Sequence, residues 1–286
     1  MKPAPFSYKK VSEIGQAFDL LDKYGADARL IAGGQSLIPT LNLRLSAPQL
    51  LIDISALNTL RGIEVVGNEV RIGALTRHVE IERSPTIAAR LPLLAQAMPH
   101  VAHAAIRNRG TIGGSLSLAD PAAELPACVL ALNASMVLAS SRGERRVKAM
   151  DFFKGLYATA LDAYEILVRI DIPLPASGER HHFNEFARRH GDYALVGIAA
   201  VCGIQGSAPR ELRLVFFGCG DRPLRASHSE AAILQGGFRS VVLEQNIARA
   251  IVKDLDPQSD LHASSSTRLH LASILARRSI TSFLQD

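Results

Sequence analysis

Two glycine pairs, Gly33-Gly34 and Gly113-Gly114, lie 80 residues apart in this chain of 286 residues. The first follows a short apolar stretch, residues 28–31, and precedes SLIPTLNLRL. This pattern predicts a strand, a glycine loop and a short helix. The second pair lies within RNRGTIGGSLSLADPAAELPA, residues 107–127, which we interpret as another glycine-rich loop. Both loops are typical of a domain in which strands alternate with helices.

Glycine pairs of this kind favour the binding of an anionic ligand. Without Cβ atoms the main chain can approach a ligand closely, and successive N–H groups can point into one concavity. Ser36 and Ser115, each beside its glycine pair, add hydroxyl donors. One such loop suits a phosphate, whereas two facing loops suit the pyrophosphate of a dinucleotide; the alternative is that both pairs are only tight turns. Neither loop has the GxGxxG pattern of Rossmann folds or the GxxxxGK[ST] pattern of P-loop NTPases.

The length predicts about two domains, with a core that needs neither disulfide nor metal. Hydrophobic residues make up 48% and charged residues 21% of the chain, which excludes disordered and collagen-like classes. No apolar run reaches the length of about 18 residues that a membrane span needs. The N-terminal residues carry positive charge but no apolar segment typical of a secretory signal. We therefore expect a cytoplasmic protein without a membrane span.

Cysteines and net charge limit the cofactors and partners of this chain. Cys128, Cys202 and Cys219 lie far apart, so the chain has no ligand set for zinc or for an iron–sulfur cluster. The net charge is +5 and the pI is near 9.3, but the basic residues are not clustered and tryptophan is absent. Nucleic-acid binding needs a basic face with stacking or base-reading side chains, so we expect no nucleic-acid partner.

Hydrophobic periodicity predicts two units that separate near residues 173–180, where PLPASGER interrupts the pattern. Expected in the first unit are strands at residues 28–31, 49–55 and 165–175, hairpins around Gly67-Asn68 and around residues 141–144, and helical segments over residues 76–105 and 122–132. Ser84 and Pro85 predict a helix start within the first of these segments. In the second unit, three antiparallel strands precede three helices, and Ser227 with Glu230 predicts a capping box.

Five ordered motifs resemble those of a known flavoprotein family. They are AGGQSLIPTLNLRL at 32–45, RNRGTIGGSLSLADPAAELPA at 107–127, ARRHGDYALVG at 187–197, CGDRPLRA at 219–226 and SDLHASSSTRLHLASILARR at 259–278. The first two closely resemble the FAD-binding signatures of the medium subunit of the xanthine oxidase family of molybdenum hydroxylases, a group that includes carbon monoxide dehydrogenase. The resemblance covers nearly the whole chain. Ala105, Leu118 and Thr267 depart from the commoner family pattern.

The resemblance implies an α+β fold with two domains. An FAD-binding domain of the PCMH type, which is vanillyl-alcohol-oxidase-like, would cover residues 1–176 in two α/β subdomains, about 1–56 and 57–176. A flavoprotein C-terminal domain would cover residues 177–286, with a three-stranded antiparallel sheet and helices.

The resemblance also implies which residues bind FAD. The first loop would wrap the pyrophosphate and the ribityl chain with Ala32, Gly33, Gly34, Gln35, Ser36 and Leu37. The opposing loop would contribute Thr111, Gly113, Gly114 and Ser115. Glu124 would accept a hydrogen bond from a ribityl or adenosine hydroxyl, with Asp120 as its competitor, although Asp120 also fits a helix N-cap before Pro121. Leu167 would border the flavin, Arg188 would tune its charge, and Tyr193 would lie against the isoalloxazine ring unless it is a buried strand aromatic.

The function that the resemblance implies is electron transfer through FAD. Electrons would leave a substrate at a molybdopterin centre in a large partner subunit, pass through two [2Fe-2S] clusters in a small partner subunit and reach FAD in this chain, which delivers them to a final acceptor. The complex would be a dimer of heterotrimers.

Two alternatives remain open at this stage. A free-standing FAD-dependent oxidase or dehydrogenase would need a substrate base in this chain, and no residue is a convincing acid, base or nucleophile. A non-catalytic dinucleotide-binding assembly protein would keep the fold alone. We assign neither a catalytic residue nor a metal ligand to this chain, since its histidines have no metal-binding spacing.

Overall fold

A computed structural model describes residues 2–205 and 208–285 of the chain. The first region is a small parallel sheet in the order β1-β3-β2. It consists of β1 (Ser7–Lys10), α1 (Ile14–Tyr24), β2 (Ala28–Ile31), α2 (Leu37–Asn42) and β3 (Leu50–Asp53). Strand β1 was not predicted, since each of its residues is exposed and gives no apolar alternation. Helix α1 was also missed, although its buried residues Ala17 and Leu21 have helical spacing.

The second region contains an antiparallel sheet of five strands in the order β4-β5-β10-β6-β7. The strands of this sheet are β4 (Ile63–Val66), β5 (Glu69–Gly73), β6 (Ser135–Ser140), β7 (Gly143–Lys148) and β10 (Ile166–Pro173). A separate two-stranded hairpin consists of β8 (Phe153–Gly155) and β9 (Ala158–Thr159). The hairpin predicted around Gly67-Asn68 is confirmed, and Gly67 has the positive φ, +59°, that a tight turn of this kind needs.

Short helices cover one face of this sheet. They are α3 (His78–Glu82), α4 (Pro85–Arg90), α5 (Pro92–Ala97), α6 (Ala104–Arg107), α7 (Ile112–Leu118), α8 (Glu124–Ala131) and α9 (Ala149–Phe152). The helix start at Ser84 is confirmed, because its hydroxyl accepts a hydrogen bond from the Ile87 amide at 3.3 Å. The expectation of one helical segment over residues 76–105 is wrong. Pro85 and Pro92 each begin a new helix, since proline lacks an N–H and clashes with a preceding helical turn.

The C-terminal region is a four-stranded antiparallel sheet covered by three helices. Its elements are β11 (Glu179–Ala187), β12 (Ala194–Gln205), β13 (Ala208–Phe217), β14 (Leu224–Arg225), α10 (Ser227–Gly236), α11 (Leu243–Asp254) and α12 (Ser265–Gln285). We expected a three-stranded sheet, but a fourth strand, β14, pairs with β13. Hydrophobic periodicity could not reveal this strand, because it consists of only two residues.

The predicted capping box at the start of α10 is also wrong. Ala226 occupies the N-cap position and Ser227 is the first helical residue. The Glu230 carboxylate accepts hydrogen bonds from the Leu214 amide at 2.8 Å and from the Arg225 guanidinium at 3.0 Å. Glu230 therefore ties the helix to the sheet beneath it, because both donors lie on β13 and β14.

Three apolar clusters hold these regions together. One face of the C-terminal sheet, including Phe183 and Phe217, shares a core with the second region, whereas the other face, including Phe216, packs on helices α10 to α12. The alternation of side chains along each strand assigns neighbouring residues to opposite faces. A third cluster joins the N-terminal sheet to the far face of the five-stranded sheet. Within residues 2–205 and 208–285, no helix is long and apolar enough to span a membrane.

Candidate cofactor site

The first glycine loop, residues 32–36, leaves a row of backbone donors open. Gly34 adopts a φ of +72°, a left-handed conformation that glycine takes without steric cost. The Gln35 side chain closes the loop by donating to the Gly33 carbonyl at 2.9 Å. No atom of the described chain accepts a hydrogen bond from the amides of residues 33–36, and the Ser36 hydroxyl does not cap α2. Four successive N–H groups are therefore available to an anion.

Gly33 is the point at which the two glycine segments touch. A Cβ atom at this position would lie 2.2 Å from the carbonyl oxygen of Arg109 and 2.9 Å from Cα of Gly110. Only a residue without a Cβ atom allows two stretches of backbone to pass at this distance. The first loop thus lies directly against the residues that precede the second glycine pair.

The second glycine pair has a different local structure from the one we expected. Gly113 and Gly114 lie inside α7, and neither has a positive φ. The Gly113 amide donates to the Ala74 carbonyl at 2.8 Å, and the Gly114 amide donates to Oγ1 of Thr111 at 3.2 Å. The expectation of a second nest of free N–H groups is therefore wrong. A Cβ atom at Gly113 would lie 2.5 Å from Cβ of Ala74, so this glycine allows α7 to pack on the end of β5.

A cavity of about 770 Å³ lies in front of the first loop. Besides residues 32–35 of the loop and Thr111, it is lined by three arginines, Arg61, Arg77 and Arg109. Arg61 donates to the Ser55 carbonyl at 2.8 Å, while its buried Nε has no hydrogen-bond partner within the described residues. Sequence reasoning missed these arginines as ligands. Arg109 lies within the second motif, but nothing in the sequence places residues 61 and 77 beside the first.

A tyrosine–aspartate pair also lines this first cavity. The Tyr8 hydroxyl donates a short hydrogen bond to the Asp53 carboxylate, and both residues line the cavity. Burial opposes ionisation of Asp53, but the hydrogen bonds from Tyr8 and Ser55 outweigh it and lower the pKa of this carboxyl group. The first cavity therefore combines open amides and cations with one ionised carboxylate.

A second cavity, of about 630 Å³, lies where the second region meets the C-terminal sheet. Three of the residues predicted for the site, Asp120, Arg188 and Tyr193, line this cavity together. Asp120 does not cap a helix. Its Oδ1 accepts from the Ala122 amide at 2.9 Å, and α8 begins at Glu124 with Ala123 as its N-cap.

Two tyrosine rings are open to the second cavity. Tyr193 is 65% exposed and Tyr157 is 56% exposed, so Tyr193 is not a buried strand aromatic. The Tyr157 hydroxyl donates to Oδ2 of Asp120 at 3.3 Å. Desolvation, followed by the negative charge of Asp120, raises the pKa of Tyr193 to about 12. Exposed aromatic rings beside the Arg188 guanidinium suit a flat, polar ring system.

The two cavities lie at opposite ends of α7. Thr111 is the N-cap of this helix and lines the first cavity, while Asp120 follows its C-terminal end and lines the second. Seven helical residues span about 10 Å, and Ala119, with a φ of +53°, ends the helix. Gly114 is exposed on this helix and Ser115 is half-buried. The arrangement suits an extended ligand with an anionic part at one end and an aromatic part at the other.

Comparison with known proteins identifies the family. Residues 4–175 match the FAD binding domain in molybdopterin dehydrogenase, and residues 181–283 match the CO dehydrogenase flavoprotein C-terminal domain. The chain belongs to this molybdopterin dehydrogenase flavoprotein family. It is an FAD-binding protein of an oxidoreductase family, as the sequence motifs predicted.

Relatives of this flavoprotein align over almost the whole chain. It is 38% identical to the 6-hydroxypseudooxynicotine dehydrogenase complex subunit alpha of Paenarthrobacter nicotinovorans, over 99% of this chain and 96% of that protein. In structure it is similar to carbon monoxide dehydrogenase from Hydrogenophaga pseudoflava, with a TM-score of 0.93, 37% identity and coverage of 97% of this chain and 96% of that one. It also resembles quinoline 2-oxidoreductase from Pseudomonas putida 86, with a TM-score of 0.91, 40% identity and coverage of 100% and 99%.

The donor set of this flavoprotein fits FAD. A diphosphate carries negative charge and many acceptor oxygens, which match the free amides of residues 33–36 and the neighbouring arginines. An isoalloxazine ring is flat and aromatic with polar edges, which match the tyrosines and the charged groups of the second cavity. The backbone donors without a protein partner thus lie in the first of the motifs that resemble FAD-binding signatures, and residues 32–35 of this motif line the first cavity.

Glu124 is buried behind the second cavity rather than on its surface. Only 7% of its surface is exposed, and it is the first residue of α8. Its pKa is raised to about 7, chiefly by burial and also by the negative charges of Glu185 and Asp120, while a hydrogen bond from its own backbone amide and the charge of His100 act in the opposite direction. Its predicted contact with an FAD hydroxyl stays a prediction.

Leu167 is one of seven predicted site residues that line neither cavity; the others are Ser36, Leu37, Gly113, Gly114, Ser115 and Glu124. Leu167 is buried in β10 and belongs to the core shared by the second region and the C-terminal sheet. Its contact with the flavin therefore stays a prediction. Within the described residues, no group of three histidine, cysteine, aspartate or glutamate side chains could hold a metal ion.

Proposed function

We propose that this chain is the electron-transfer flavoprotein of a heteromeric molybdenum hydroxylase, and that FAD lies along α7 with its diphosphate in the first cavity and its isoalloxazine ring in the second. The observation that carries the proposal is the row of four unpartnered amides at residues 33–36, which faces three arginines. When bound, FAD supplies the capacity to receive electrons singly and to release them in pairs.

The first cavity accounts for most of the expected binding energy. Amides that have no protein acceptor keep their hydrogen-bonding capacity for a ligand, and guanidinium groups form strong, often bidentate, hydrogen bonds to phosphate. No carboxylate pairs with the Arg77 or Arg109 side chain in the described part of the chain. These two arginines therefore retain their positive charge for an anion.

The second cavity accounts for the position of the ring. Tyr193 and Tyr157 offer exposed aromatic faces, and Asp120 and Arg188 offer an acceptor and a donor at the edge. Residues of both matched domains line this cavity, so a ring bound here would lie at the boundary of the domains. A ring at such a boundary remains close to the outer surface, where electrons must arrive from a partner.

Partner subunits supply the other redox centres in this proposal. An iron–sulfur cluster of the [2Fe-2S] type needs four protein ligands, usually thiolates, and the three cysteines of this chain are buried, separate free thiols. Relatives carry names such as "dehydrogenase complex subunit alpha" and "carbon monoxide dehydrogenase medium chain". We propose a small [2Fe-2S] subunit and a large molybdopterin subunit as partners, assembled as a dimer of heterotrimers. Free thiols are in keeping with the reducing cytoplasm.

The test is FAD binding by an arginine variant of the first cavity. We expect the double variant Arg77→Gln/Arg109→Gln to bind FAD about a hundredfold more weakly than the natural chain, because each lost charged hydrogen bond costs about 1.4 kcal/mol or more. Isothermal titration with FAD, on the chain purified with its partner subunits, measures the dissociation constant. ADP should compete with FAD for the natural chain and compete poorly for the variant.

The matched control is Arg239→Gln, which removes an exposed arginine of the C-terminal region and should leave the dissociation constant unchanged. Unchanged FAD affinity in the double variant would mean that the diphosphate lies elsewhere. Failure of the natural complex to retain any FAD would overturn the cofactor assignment itself.

A further inference from the structure

Residues from or next to three of the five family-like motifs contact one buried arginine. Arg268 belongs to the motif at residues 259–278 and is the fourth residue of α12. Only 7% of its surface is exposed, although it lines the second cavity. The proposed position of FAD gives no role to this arginine or to the motif that contains it.

The guanidinium group of Arg268 binds two separate backbone segments. Its Nη1 donates a short hydrogen bond to the carbonyl of Leu195 and another, at 3.0 Å, to the carbonyl of Gly218. Leu195 belongs to the motif at residues 187–197, and Gly218 directly precedes the motif at residues 219–226. Both residues line the second cavity. The arginine therefore joins two parts of the cavity wall that are distant in sequence.

The same guanidinium group also binds the loop before α12. Its Nη2 donates to Oδ2 of Asp260 at 2.7 Å. Oδ1 of Asp260 accepts from the amides of His262 at 2.8 Å and Ala263 at 3.0 Å. The hydrogen bonds from Ala263 and His262, with a further contribution from Arg268, lower the pKa of Asp260 to about 2. The carboxylate is therefore ionised at neutral pH and joins Arg268 to a loop whose residues Asp260 and His262 line the second cavity.

Gly218 connects this arginine with the other side of the second cavity. The Gly218 amide donates to the Pro121 carbonyl at 2.8 Å, and this hydrogen bond joins the two matched domains. Pro121 directly follows Asp120, whose Oδ2 accepts from the Tyr157 hydroxyl at 3.3 Å. Gly218 therefore binds the FAD-binding domain through its amide and Arg268 through its carbonyl.

The backbone at Gly218 makes both of these bonds in a conformation that favours glycine. Its φ is +72°, in the left-handed region. A Cβ atom at this position would lie 2.8 Å from the carbonyl oxygen of Leu195, which Arg268 also binds. The close approach of these two backbone segments brings both carbonyls within reach of one guanidinium group.

We propose that Arg268 is a positioning residue for the flavin ring, because it holds the walls of the second cavity in one arrangement. This inference rests on the proposed position of the isoalloxazine ring in that cavity. A guanidinium group is planar and has several N–H donors in fixed directions, so it sets the distances between the acceptors that it binds. Tyr193, two residues before Leu195, and Asp120, next to Pro121, both line the cavity. Their backbone segments are therefore fixed before the ring binds.

The experiment compares FAD and ADP as ligands of the purified complex after its FAD has been removed. ADP has the diphosphate and the adenosine of FAD but no isoalloxazine ring, so it tests the first cavity alone. We expect Arg268→Lys to bind FAD about tenfold more weakly than the natural protein, because binding must then also order the walls of the second cavity. Its affinity for ADP should be unchanged. Isothermal titration measures both dissociation constants.

Two further variants keep the test decisive. Asp260→Asn retains an oxygen acceptor for the loop amides but removes the charged partner of Arg268, and it should weaken FAD binding about threefold with ADP binding unchanged. Arg277→Gln is the matched control, since Arg277 lies on the same helix and pairs with the exposed Glu244. It should bind both ligands as the natural protein does. If Arg268→Lys does not fold, Asp260→Asn decides, and natural FAD affinity in that variant overturns the inference.

The proposed function fails separately from this inference. If the natural complex binds no FAD, the proposed function is contradicted. If the natural complex binds FAD and Arg268→Lys binds it equally well, only the role of Arg268 is contradicted. An equal loss of FAD and ADP affinity in Arg268→Lys would mean that this arginine supports the whole fold and not the second cavity in particular, which also overturns the inference.

Discussion

Gly33-Gly34 and Gly113-Gly114 are the same dipeptide with a serine close by, yet they have different surroundings in the fold. The first pair lies in a loop and leaves four amides without a partner. The second lies in a helix, and its two amides donate to Ala74 and Thr111. Both pairs include one glycine at which a Cβ atom would collide with the backbone of another segment.

The difference shows that a glycine pair has two separate uses. Absence of a Cβ atom permits close packing in both segments, but only the first segment also keeps free donors for a ligand. Whether a donor is free can depend on a distant residue, here Ala74, which directly follows β5 and whose carbonyl accepts from the Gly113 amide. The sequence near a glycine pair therefore predicts close approach better than it predicts ligand contact.

The largest expected effect comes from removing the close approach at either pair. Gly33→Ala places Cβ 2.2 Å from the Arg109 carbonyl oxygen, and Gly113→Ala places it 2.5 Å from Cβ of Ala74. Because backbone must move in both cases, we expect each variant to lose about 3 kcal/mol of unfolding free energy. Urea denaturation followed by circular dichroism measures this loss.

Gly15→Ala is the matched control for these two variants. A Cβ atom at Gly15 meets nothing within 4 Å, and the residue lies inside α1. Since alanine is a better helix former, this variant should gain about 0.5 to 1 kcal/mol. Equal stability of Gly33→Ala and Gly15→Ala would show that the two glycine segments do not touch as described.

A smaller effect is expected from His78, which lies beside the second glycine segment and makes the free energy of unfolding depend on pH. His78 is buried against Gly110, and burial lowers its pKa to about 4, with the Arg107 charge acting in the same direction and the Thr111 backbone opposing it. The unfolded chain binds a proton at this histidine below about pH 6.5, whereas the native chain does so only below about pH 4. Stability is therefore lost as pH falls, by about 2 kcal/mol at about pH 5.

The check is the stability difference between about pH 7 and about pH 5 in His78→Leu. The variant should lose about 2 kcal/mol less than the natural chain over this interval. His270→Gln, at an exposed histidine of α12, should behave like the natural chain. An unchanged pH dependence in His78→Leu would mean that this histidine ionises freely in the folded protein.

Local patterns predicted much of the fold. The Ser84 cap was correct because it depends on a hydroxyl three residues from the amide that it binds. The hairpin at Gly67 was correct for a similar reason, since its turn needs a positive φ at that residue. Patterns over longer segments were less reliable. Prolines divide the predicted helical segment 76–105 into several helices. The Glu230 carboxylate accepts a hydrogen bond from the Leu214 amide of β13 instead of forming a capping box.

For the candidate site too, local sequence patterns predicted the residues within one loop but not those that come from distant elements. The free loop at residues 32–36 was visible in the sequence, since its glycines and its serine lie within four successive residues. Arg61 and Arg77 were missed, because they enter the first cavity from other elements, through the sheet order and not through any local motif. Asp120, Arg188 and Tyr193 were named from a family resemblance, and the fold brings them to one cavity although 73 residues separate the first from the last.

The smallest expected effects concern Ser36 and Thr111, the N-cap residues of α2 and α7. Thr111 Oγ1 accepts from the Gly114 amide as the N-cap of α7, so Thr111→Val should cost about 1 kcal/mol of stability. Ser36 makes no such bond at α2, so Ser36→Ala should change stability by less than about 0.5 kcal/mol. It should instead weaken FAD binding about fivefold, as expected for one lost neutral hydrogen bond.

Thr111→Ser, which keeps the cap, should restore stability, and thermal unfolding with and without FAD measures both quantities. A loss of stability in Ser36→Ala as large as that in Thr111→Val would mean that the first loop, like the second, uses its polar groups internally.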